Sequence, residues 1–213
     1  MTKFDLIIFD FDGVLRPISF ERLRHAYDMA IHSIGKDPRD FYCGTEGFRG
    51  WFNHDWHKTE ENIFGAPYEP RPEFDAVFHQ HFDPSTELFP WVPQVLEELS
   101  SRTGLAILSS SNIESVVAEL GSLRGFFQEV VGGNMVVKLK PNPEGIFRIL
   151  KQLRIPAEKA IMIGDADADI LAGKAAGVKT AAILWGIGEE EELRQLSPDF
   201  VLSNPNEIIG ILR

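Results

Sequence analysis

The feature that most constrains this chain is a series of short apolar runs, each followed directly by a polar or glycine-rich cluster. The first run, LIIF at residues 6–9, leads into Asp10. Runs at 105–108 and 160–163 lead into SSSN and GDADAD, and runs at 180–184 and 200–202 lead into WGIG and SNP. Unbroken runs of this length are typical of strands that are buried on both faces, as in a parallel sheet.

Helical spacing of apolar residues fills the gaps between these runs. The segments that share this spacing are 92–100, 113–120, 146–153 and 170–176. Strands that alternate with helices predict an α/β fold with a Rossmann-like, doubly wound parallel sheet. Ligands of such sheets bind beyond the carboxyl ends of the strands, so Asp10, residues 109–112 and residues 164–169 should converge on one crevice.

Residues 17–88 have a different character. All six histidines lie in this part of the chain, and Ser19 to Ile34 has the pattern of an amphipathic helix with Ser19 as its cap. A second helix is indicated around Phe74 and Phe78. We therefore predict an α/β core domain formed by residues 1–16 and 89–213, with a helical domain at 17–88 inserted after the first strand.

Composition limits the partners of the chain. The formal net charge is −11, which disfavours binding to nucleic acid and to anionic membranes. No apolar run approaches the ~20 residues that span a bilayer, and Asp5 and Asp10 interrupt the apolar N-terminus, so no signal peptide is expected. The single cysteine, Cys43, cannot form an internal disulfide. We expect a cytoplasmic monomer or homodimer that acts on a small molecule.

Two carboxylates stand two positions apart at the end of the first predicted strand. In an extended chain, Asp10 and Asp12 point to the same side and Phe11 points to the other. Such a pair can hold a hard cation such as Mg²⁺, or can divide the roles of nucleophile and acid/base. An aspartate that ends a strand and caps a turn is a simpler explanation, but it accounts for only one of the two.

Four segments, in this order, resemble the motifs of the haloacid dehalogenase superfamily. They are IIFDFDGVL at 7–15, AILSSSN at 106–112, KLKPNP at 138–143 and IMIGDADADILAGKAAG at 161–177. The resemblance covers nearly the whole chain outside the insertion and is closest to the subgroup of phosphoglycolate phosphatase and β-phosphoglucomutase, which carries a helical cap. It implies a Mg²⁺-dependent phosphatase that acts on a small phosphorylated metabolite.

The resemblance also implies catalytic roles for individual residues. Asp10 would attack phosphorus and form an aspartyl-phosphate, and Asp12 would protonate the leaving oxygen and then activate water. Ser109 would bind the phosphoryl group, with Ser110 as a further donor. Lys140 would neutralise charge beside Asp10, although a swap with Lys138 stays open.

For the metal, the resemblance implies Asp10, Asp165 and the main-chain carbonyl of Asp12 as ligands. Asp169 would support the metal directly or through its waters. Other polar residues nearby receive plainer interpretations: Ser111 and Asn112 as caps of the following helix, and Asp167 as a cap or a solvated charge.

The insertion matches the position of the subgroup's cap, which closes over the site and contacts the leaving group. Arg49 and His54 are candidate substrate contacts there. The chain departs from the subgroup just after the aspartate pair, where VLRPIS replaces a stretch that commonly contains an acidic or hydroxyl residue. Arg16 could reach a substrate carboxylate or phosphate, or could pair on the surface.

Three other functions remain compatible with the sequence. A phosphomutase would pass the phosphoryl group to a sugar rather than to water, and a pyrophosphatase would differ only in its leaving group. A protein of another class would use the same fold for binding or regulation without catalysis. The intact set of Asp10, Asp12, Ser109, Lys140 and Asp165 argues against this last alternative.

Overall fold

The structure is a computed structural model that describes residues 3–52, 56–82 and 87–212. The chain divides into two compact units, one formed by Met1–Pro17 with Glu87–Arg213 and the other by Ile18–Thr86. Among the helices of the described residues, none has the length and apolar character needed to span a membrane.

The first unit is built on a parallel sheet. Within the described residues its strands are β1 Leu6–Phe9, β2 Gly104–Leu108, β3 Glu129–Val131, β4 Ala160–Gly164, β5 Lys179–Ile183 and β6 Phe200–Leu202. Their order across the sheet is β3-β2-β1-β4-β5-β6, and each neighbouring pair is parallel. This confirms the predicted α/β class and the predicted parallel sheet. The strand β3 was not predicted, because it begins with Glu129 and contains only two consecutive apolar residues.

Ten α-helices occur in the described ranges, four of them in the second unit. They are α1 Phe20–Ser33, α2 Gly44–Trp51, α3 Trp56–Phe64, α4 Pro72–His81, α5 Val92–Ser100, α6 Ile113–Leu120, α7 Glu144–Leu153, α8 Asp167–Ala176, α9 Glu190–Gln195 and α10 Asn206–Gly210. The helix α8 begins three residues before the apolar spacing indicates, because its first turn carries aspartates.

Strand β1 is buried on both faces. Ile7 and Phe9 join one apolar cluster with residues of α5 and α6, whereas Leu6 and Ile8 join another with residues of α7 and α8. All four side chains are fully buried, which explains why the run LIIF is unbroken. The sheet is thus the middle layer of three, and β1 is at its centre.

The order of the strands fixes where a ligand can bind. From β1 the chain continues to β2 and β3 on one side of the sheet, and it later crosses to β4, β5 and β6 on the other. The change of direction between β1 and β4 is a topological switch point, and such sheets bind ligands beyond the carboxyl ends of the strands there.

The second unit is helical and has an aromatic interior. The Ser19 side chain accepts a hydrogen bond from the Arg22 backbone N–H over 3.4 Å, so Ser19 caps α1 as predicted. Tyr27 of α1 lies with its ring centroid 5.8 Å from that of Phe48 and 4.8 Å from that of Phe78. These contacts join α1 to α2 and α4 within the unit.

Candidate active site

Three polar residues directly follow the ends of three neighbouring strands. Asp10, Ser109 and Asp165 each immediately follow the last residue of β1, β2 and β4. Phe9 is in register with Ile107 of β2 and with Ile163 of β4, so these three strands end at nearly the same level. Backbone pairing continues to Asp10, whose N–H donates to the carbonyl of Ile163 over 2.9 Å. The sheet therefore brings the three residues to one edge.

Lys140 joins two carboxylates at this edge. Its Nζ lies 2.7 Å from Oδ1 of Asp10 and 2.7 Å from Oδ1 of Asp169, and it also donates to the carbonyl oxygen of Leu108 over 3.2 Å. All three charged side chains are buried. The other oxygen of Asp169, Oδ2, accepts a hydrogen bond from the Ala166 N–H over 3.1 Å. The two oxygens of Asp169 therefore bind Lys140 and the backbone at the start of α8.

Asp165 is held by the loop that follows β5. Its Oδ2 accepts a hydrogen bond from the Ile187 N–H over 2.8 Å. A Cβ atom at Gly13 would lie 2.0 Å from Oδ2 of Asp165, and one at Gly186 would lie 2.2 Å from its Cβ. Gly13 also has a φ of +82°, which side chains other than glycine rarely adopt. The carboxylate therefore fits closely between two glycine turns.

Burial shapes the electrostatics of these groups. Desolvation raises the pKa of Asp10 to about 7, and the nearby Asp169 and Asp12 add to the rise while Lys140 opposes it. Burial also holds the pKa of Asp165 well above its usual range, and the negative charges of Asp10 and Asp169 add to this rise. The two carboxylates raise the pKa of Lys140 despite its burial, so this side chain is a fixed positive charge.

The charges fit a divalent cation. Asp10, Asp165 and Asp169 each offer one carboxylate oxygen within 4.8 Å of the others, and the ammonium of Lys140 pairs with Asp10 and Asp169. Fully ionised, this buried group would carry two uncompensated negative charges, which is unfavourable without a counter-ion. An all-oxygen donor set also suits Mg²⁺. Asp10 and Asp165 are the better ligands, because both oxygens of Asp169 are engaged, Oδ1 by Lys140 and Oδ2 by the Ala166 N–H, whereas the described contacts of Asp10 and Asp165 each involve one oxygen.

The loop after β2 connects Ser109 to Asp12. Ser109 is buried, and its Oγ accepts a hydrogen bond from the Ser111 N–H over 3.0 Å. Ser111 Oγ donates to Oδ2 of Asp12 over 2.7 Å. The interpretation of Ser111 as a helix cap is therefore wrong. Asn112 takes the capping position of α6 but makes no capping hydrogen bond with its side chain, and Asn134 instead accepts from the Ile113 N–H over 3.0 Å.

Arg16 holds the other oxygen of Asp12. Its Nε donates to Oδ1 of Asp12 over 2.8 Å, its Nη2 contacts the same oxygen, and its Nη1 contacts Oε2 of Glu119. The side chain is buried, so Arg16 does not pair on the surface as one alternative held. The side-chain oxygens of Asp12 are thus occupied by Arg16 and Ser111.

The structure places the remaining predicted residues as follows. Ser110 is half-buried in the loop between Ser109 and Ser111. Lys138 is exposed, unlike Lys140. Arg49 lies on α2 in the second unit, with its guanidinium carbon 4.3 Å from the centroid of the Phe20 ring. His54 lies outside the described residues. Asp167 is exposed, and its Oδ1 accepts a hydrogen bond from the Ala168 N–H over 2.8 Å.

The contacts that hold these side chains in place were not predicted from the sequence. Ser111, Glu119 and the glycines around Asp165 received no role there. Their partners lie far along the chain, since Arg16 and Glu119 are 103 positions apart and Ser111 and Asp12 are 99 apart. No local pattern marks such a pair. The one available signal was the unusual arginine after the aspartate pair.

Comparison with known sequences gives a consistent picture. The family model of haloacid dehalogenase-like hydrolases matches residues 7–183. A phosphoglycolate phosphatase of Aquifex aeolicus is 35% identical over 216 residues, covering 97% of this chain and 96% of the relative. A pyrophosphatase of Bacillus cereus, PpaX, is 28% identical over 214 residues, covering 99% and 97% respectively.

Solved structures show the same fold. A predicted phosphoglycolate phosphatase from Haemophilus somnus superposes with a TM-score of 0.77 at 20% identity, covering 100% of both chains. A haloacid dehalogenase-like hydrolase from Streptococcus pneumoniae superposes with a TM-score of 0.76 at 23% identity, covering 99% of both. The matched family segment contains Asp10, Ser109, Lys140 and Asp165. The chain therefore belongs to the haloacid dehalogenase-like hydrolase family.

Proposed function

We propose that this chain is a Mg²⁺-dependent phosphatase that hydrolyses a small phosphorylated metabolite similar to phosphoglycolate, through an aspartyl-phosphate on Asp10. The observation that carries this proposal is the different surroundings of the two aspartates. Asp10 is buried beside Lys140, whereas Asp12 is held separately by Ser111 and Arg16. Paired carboxylates in unlike environments suit a division between nucleophile and acid/base.

In the first step, a carboxylate oxygen of Asp10 attacks phosphorus while the bond to the ester oxygen breaks. The departing oxygen takes the electron pair of that bond and receives a proton from Asp12. Lys140 stays beside Asp10 and offsets negative charge on both the nucleophile and the phosphoryl group. Ser109, at the same edge of the sheet, supplies a hydroxyl to a phosphoryl oxygen.

In the second step, water attacks the phosphorus of the aspartyl-phosphate. Asp12, now a carboxylate, accepts a proton from that water, and the bond between phosphorus and the Asp10 oxygen breaks. The products are inorganic phosphate and the regenerated Asp10 carboxylate. One aspartate thus serves as acid in the first step and as base in the second.

Mg²⁺ held by Asp10 and Asp165 would reduce the repulsion between the anionic nucleophile and the anionic phosphoryl group. Asp169 would act beside it by fixing Lys140, since Oδ1 of Asp169 lies 2.7 Å from Nζ. The main-chain carbonyl of Asp12 would complete the proposed ligand set, and Asp169 would support the metal directly or through metal-bound water.

The second unit is proposed to serve as the cap that selects the substrate. Arg49 and His54 are its candidate substrate contacts, and Ser110 is the candidate from the core. We further propose a cytoplasmic protein that acts as a monomer or homodimer and has neither nucleic acid nor a membrane as its partner. These proposals rest on the family resemblance and on the net charge of −11.

Hydrolysis of pyrophosphate is the second candidate. It is supported by the 28% identity to the Bacillus cereus pyrophosphatase over 99% of this chain. The chemistry at Asp10 would be the same, and only the leaving group would change from an alcohol to phosphate.

The test is phosphate release from a generic aryl phosphate, phosphoglycolate, pyrophosphate and a hexose phosphate, each with Mg²⁺ and with chelator. We expect Mg²⁺-dependent release from the aryl phosphate and from one or more metabolites, with phosphoglycolate preferred to pyrophosphate. Movement of phosphate between two hydroxyls of the sugar, without net release, would identify a mutase instead. No turnover of any substrate would contradict the proposal.

A further inference from the structure

Arg16 is a buried charge in the first unit, with acidic partners on two elements. It is 2% exposed, and its guanidinium contacts Asp12 in the turn after β1 and Glu119 on α6. Burying an arginine is unfavourable unless its charge is paired and its donors are satisfied. The pairing of Arg16 with both carboxylates meets this requirement, so its position is well defined.

The backbone and a ring fix Arg16 from two further directions. The Gly13 N–H donates to the Arg16 carbonyl over 2.7 Å, and the Arg16 N–H donates to the Phe11 carbonyl over 3.1 Å. The guanidinium carbon also lies 5.1 Å from the centroid of the buried Phe11 ring. Arg16 is therefore part of the same tight turn that carries Asp12.

The contacts of Asp12 divide its two oxygens between different neighbours. Oδ1 is bound by Arg16, and Oδ2 accepts the hydrogen bond from Ser111 Oγ. Ser111 is tied in turn to Ser109, because its N–H donates to Ser109 Oγ. Oδ2 thus faces the loop that would bind the phosphoryl group, whereas Oδ1 faces Arg16 and Glu119.

We propose that Arg16, held by Glu119, is a positioning residue that fixes Asp12 so that Oδ2 is the oxygen presented to the phosphoryl site. This inference rests on the proposed function, since it assigns Arg16 a role in the reaction of Asp12. Arg16 itself does not touch the substrate. Arg16 acts by orienting Asp12. Two guanidinium nitrogens contact Oδ1, and these contacts oppose a rotation of the carboxylate that would exchange Oδ1 and Oδ2.

The expected effect is on turnover rather than on substrate binding. General acid–base catalysis contributes about 10²–10⁴-fold, so loss of orientation should remove part of that, roughly 10- to 100-fold in kcat for Arg16→Ala. KM should change by no more than about twofold, because Arg16 makes no contact with bound substrate in this scheme.

A double-mutant cycle separates positioning from general structural damage. If Arg16 acts through Asp12, then Arg16→Ala in an Asp12→Asn background should change kcat by no more than about twofold. A merely structural role would lower kcat by the same factor in both backgrounds. Arg16→Lys should recover only part of the loss, because lysine is a point charge and cannot bind Asp12 and Glu119 together as a guanidinium does.

Two further variants serve as controls. Arg16→Ala leaves Glu119 without this partner and can impair folding, so Glu119→Gln is made as well. Glu119→Gln keeps the pair between Arg16 and Asp12, and it should lower kcat by a smaller factor than Arg16→Ala. Arg102→Ala is the matched control. Arg102 pairs with Glu98 at the same four-residue spacing, over 2.7 Å, just before β2 begins at the opposite end of the sheet.

The experiment measures kcat and KM on an aryl phosphate for all these variants, with circular dichroism as a check of folding. The inference is supported by a kcat loss that is specific to Arg16 and Glu119 and vanishes in the Asp12→Asn background. It is overturned if Arg16→Ala folds and has the same kcat as Arg102→Ala. If Arg16→Ala does not fold, the same comparison is made with Glu119→Gln. It is also overturned if the loss in kcat persists in the Asp12→Asn background. An inactive unaltered chain would overturn the proposed function first, and this inference with it.

Discussion

Nζ of Lys140 lies 2.7 Å from Oδ1 of Asp10, and the two side chains form a buried ion pair at the carboxyl end of the central strand. Two positions earlier in the chain, Lys138 is exposed, and its backbone N–H donates to Glu144 over 3.0 Å. The same residue type thus occupies two unlike environments within one short segment, which gives a matched pair of variants.

Lys140→Ala should both destabilise the protein and abolish turnover. It leaves Asp10 and Asp169 buried without their cation, which costs about 3–5 kcal/mol in comparable sites. Lys138→Ala should change the free energy of unfolding by no more than about 0.5 kcal/mol, as is usual for an exposed residue. Urea unfolding and phosphate release measured on both variants check this. Equal effects of the two substitutions on unfolding and on turnover would contradict the role assigned to Lys140.

Asp10→Asn should remove turnover while the fold persists. Loss of a nucleophile lowers kcat by roughly 10³-fold or more. Since the Asp10 carboxylate is destabilised by burial, its replacement by a neutral amide should keep the free energy of unfolding within about 1 kcal/mol. The checks are phosphate release and trapping of radiolabelled aspartyl-phosphate by acid quench. Label retained by Asp10→Asn at the level of the unaltered chain would contradict the assignment.

Mg²⁺ should stabilise the unaltered protein through Asp165. A ligand that binds only the folded state adds about 2.7 kcal/mol at a concentration 100 times its Kd. We expect the melting temperature to rise with Mg²⁺ and the rise to be lost in Asp165→Asn, since a buried ligand is gone. The exposed Asp167→Asn serves as the control and should keep the full rise. A Mg²⁺-induced rise in Asp165→Asn equal to that of the control would argue against this metal site.

Glu60, in the second unit, should make stability fall as pH rises. Its Oε2 lies 3.6 Å from Nη1 of Arg71, and the side chain is 4% exposed. Burial, together with the charge of Asp75, raises the pKa of Glu60 to about 7, although Arg71 opposes the rise. The folded state therefore keeps a proton that the unfolded state loses between its ordinary pKa and about 7.

Ionisation of buried Glu60 lowers the free energy of unfolding. This loss is absent below the pKa of Glu60 in the unfolded state and is complete above pH 7, where it amounts to about 3 kcal/mol. Glu60→Gln should remove the contribution of Glu60 to the decline while the contributions of Asp10 and Asp165 persist, so that the variant gains stability relative to the unaltered chain as pH rises. Glu69→Gln is the control, because Glu69 lies 4.0 Å from the same arginine but its side chain is 78% exposed. Urea unfolding at pH 4.5 and pH 8 measures the difference. A decline with pH that is unchanged in Glu60→Gln would contradict the assignment.

The sheet was predictable because strands buried on both faces leave a strong local signal. The strands β1, β2, β4, β5 and β6 each contain an apolar run of at least three residues, and helices α5 and α6 end close to where apolar spacing stops. Strand β3 has only two apolar residues in a row, Val130 and Val131, and was therefore not recognised. Its position at the edge of the sheet is set by pairing with β2, where Leu108 is in register with Val131.

The centre of the site was predictable for a different reason. Asp10, Ser109 and Asp165 each directly follow an apolar strand, so their positions along the chain form a visible pattern, whereas the roles assigned to them stay predictions. The supporting contacts lack such a constraint. Ser111 looks like an ordinary helix cap in sequence, and only folding brings its hydroxyl to Asp12. Arg16 was noticed as unusual, but its partner Glu119 lies on α6 within a pattern that any solvated helix could show.

The central place of β1 has a consequence for synthesis of the chain. LIIF is made before both of its neighbours in the sheet, because β2 and β4 begin only at residues 104 and 160. At about 5–20 residues per second, a ribosome takes on the order of 5–20 s to reach β2 after it completes β1. During that interval a fully apolar strand has no pairing partner, and much of the delay is the time needed to translate the second unit. The insertion that supplies this chain with a second domain therefore also prolongs the period in which its newest copies depend on protection from aggregation.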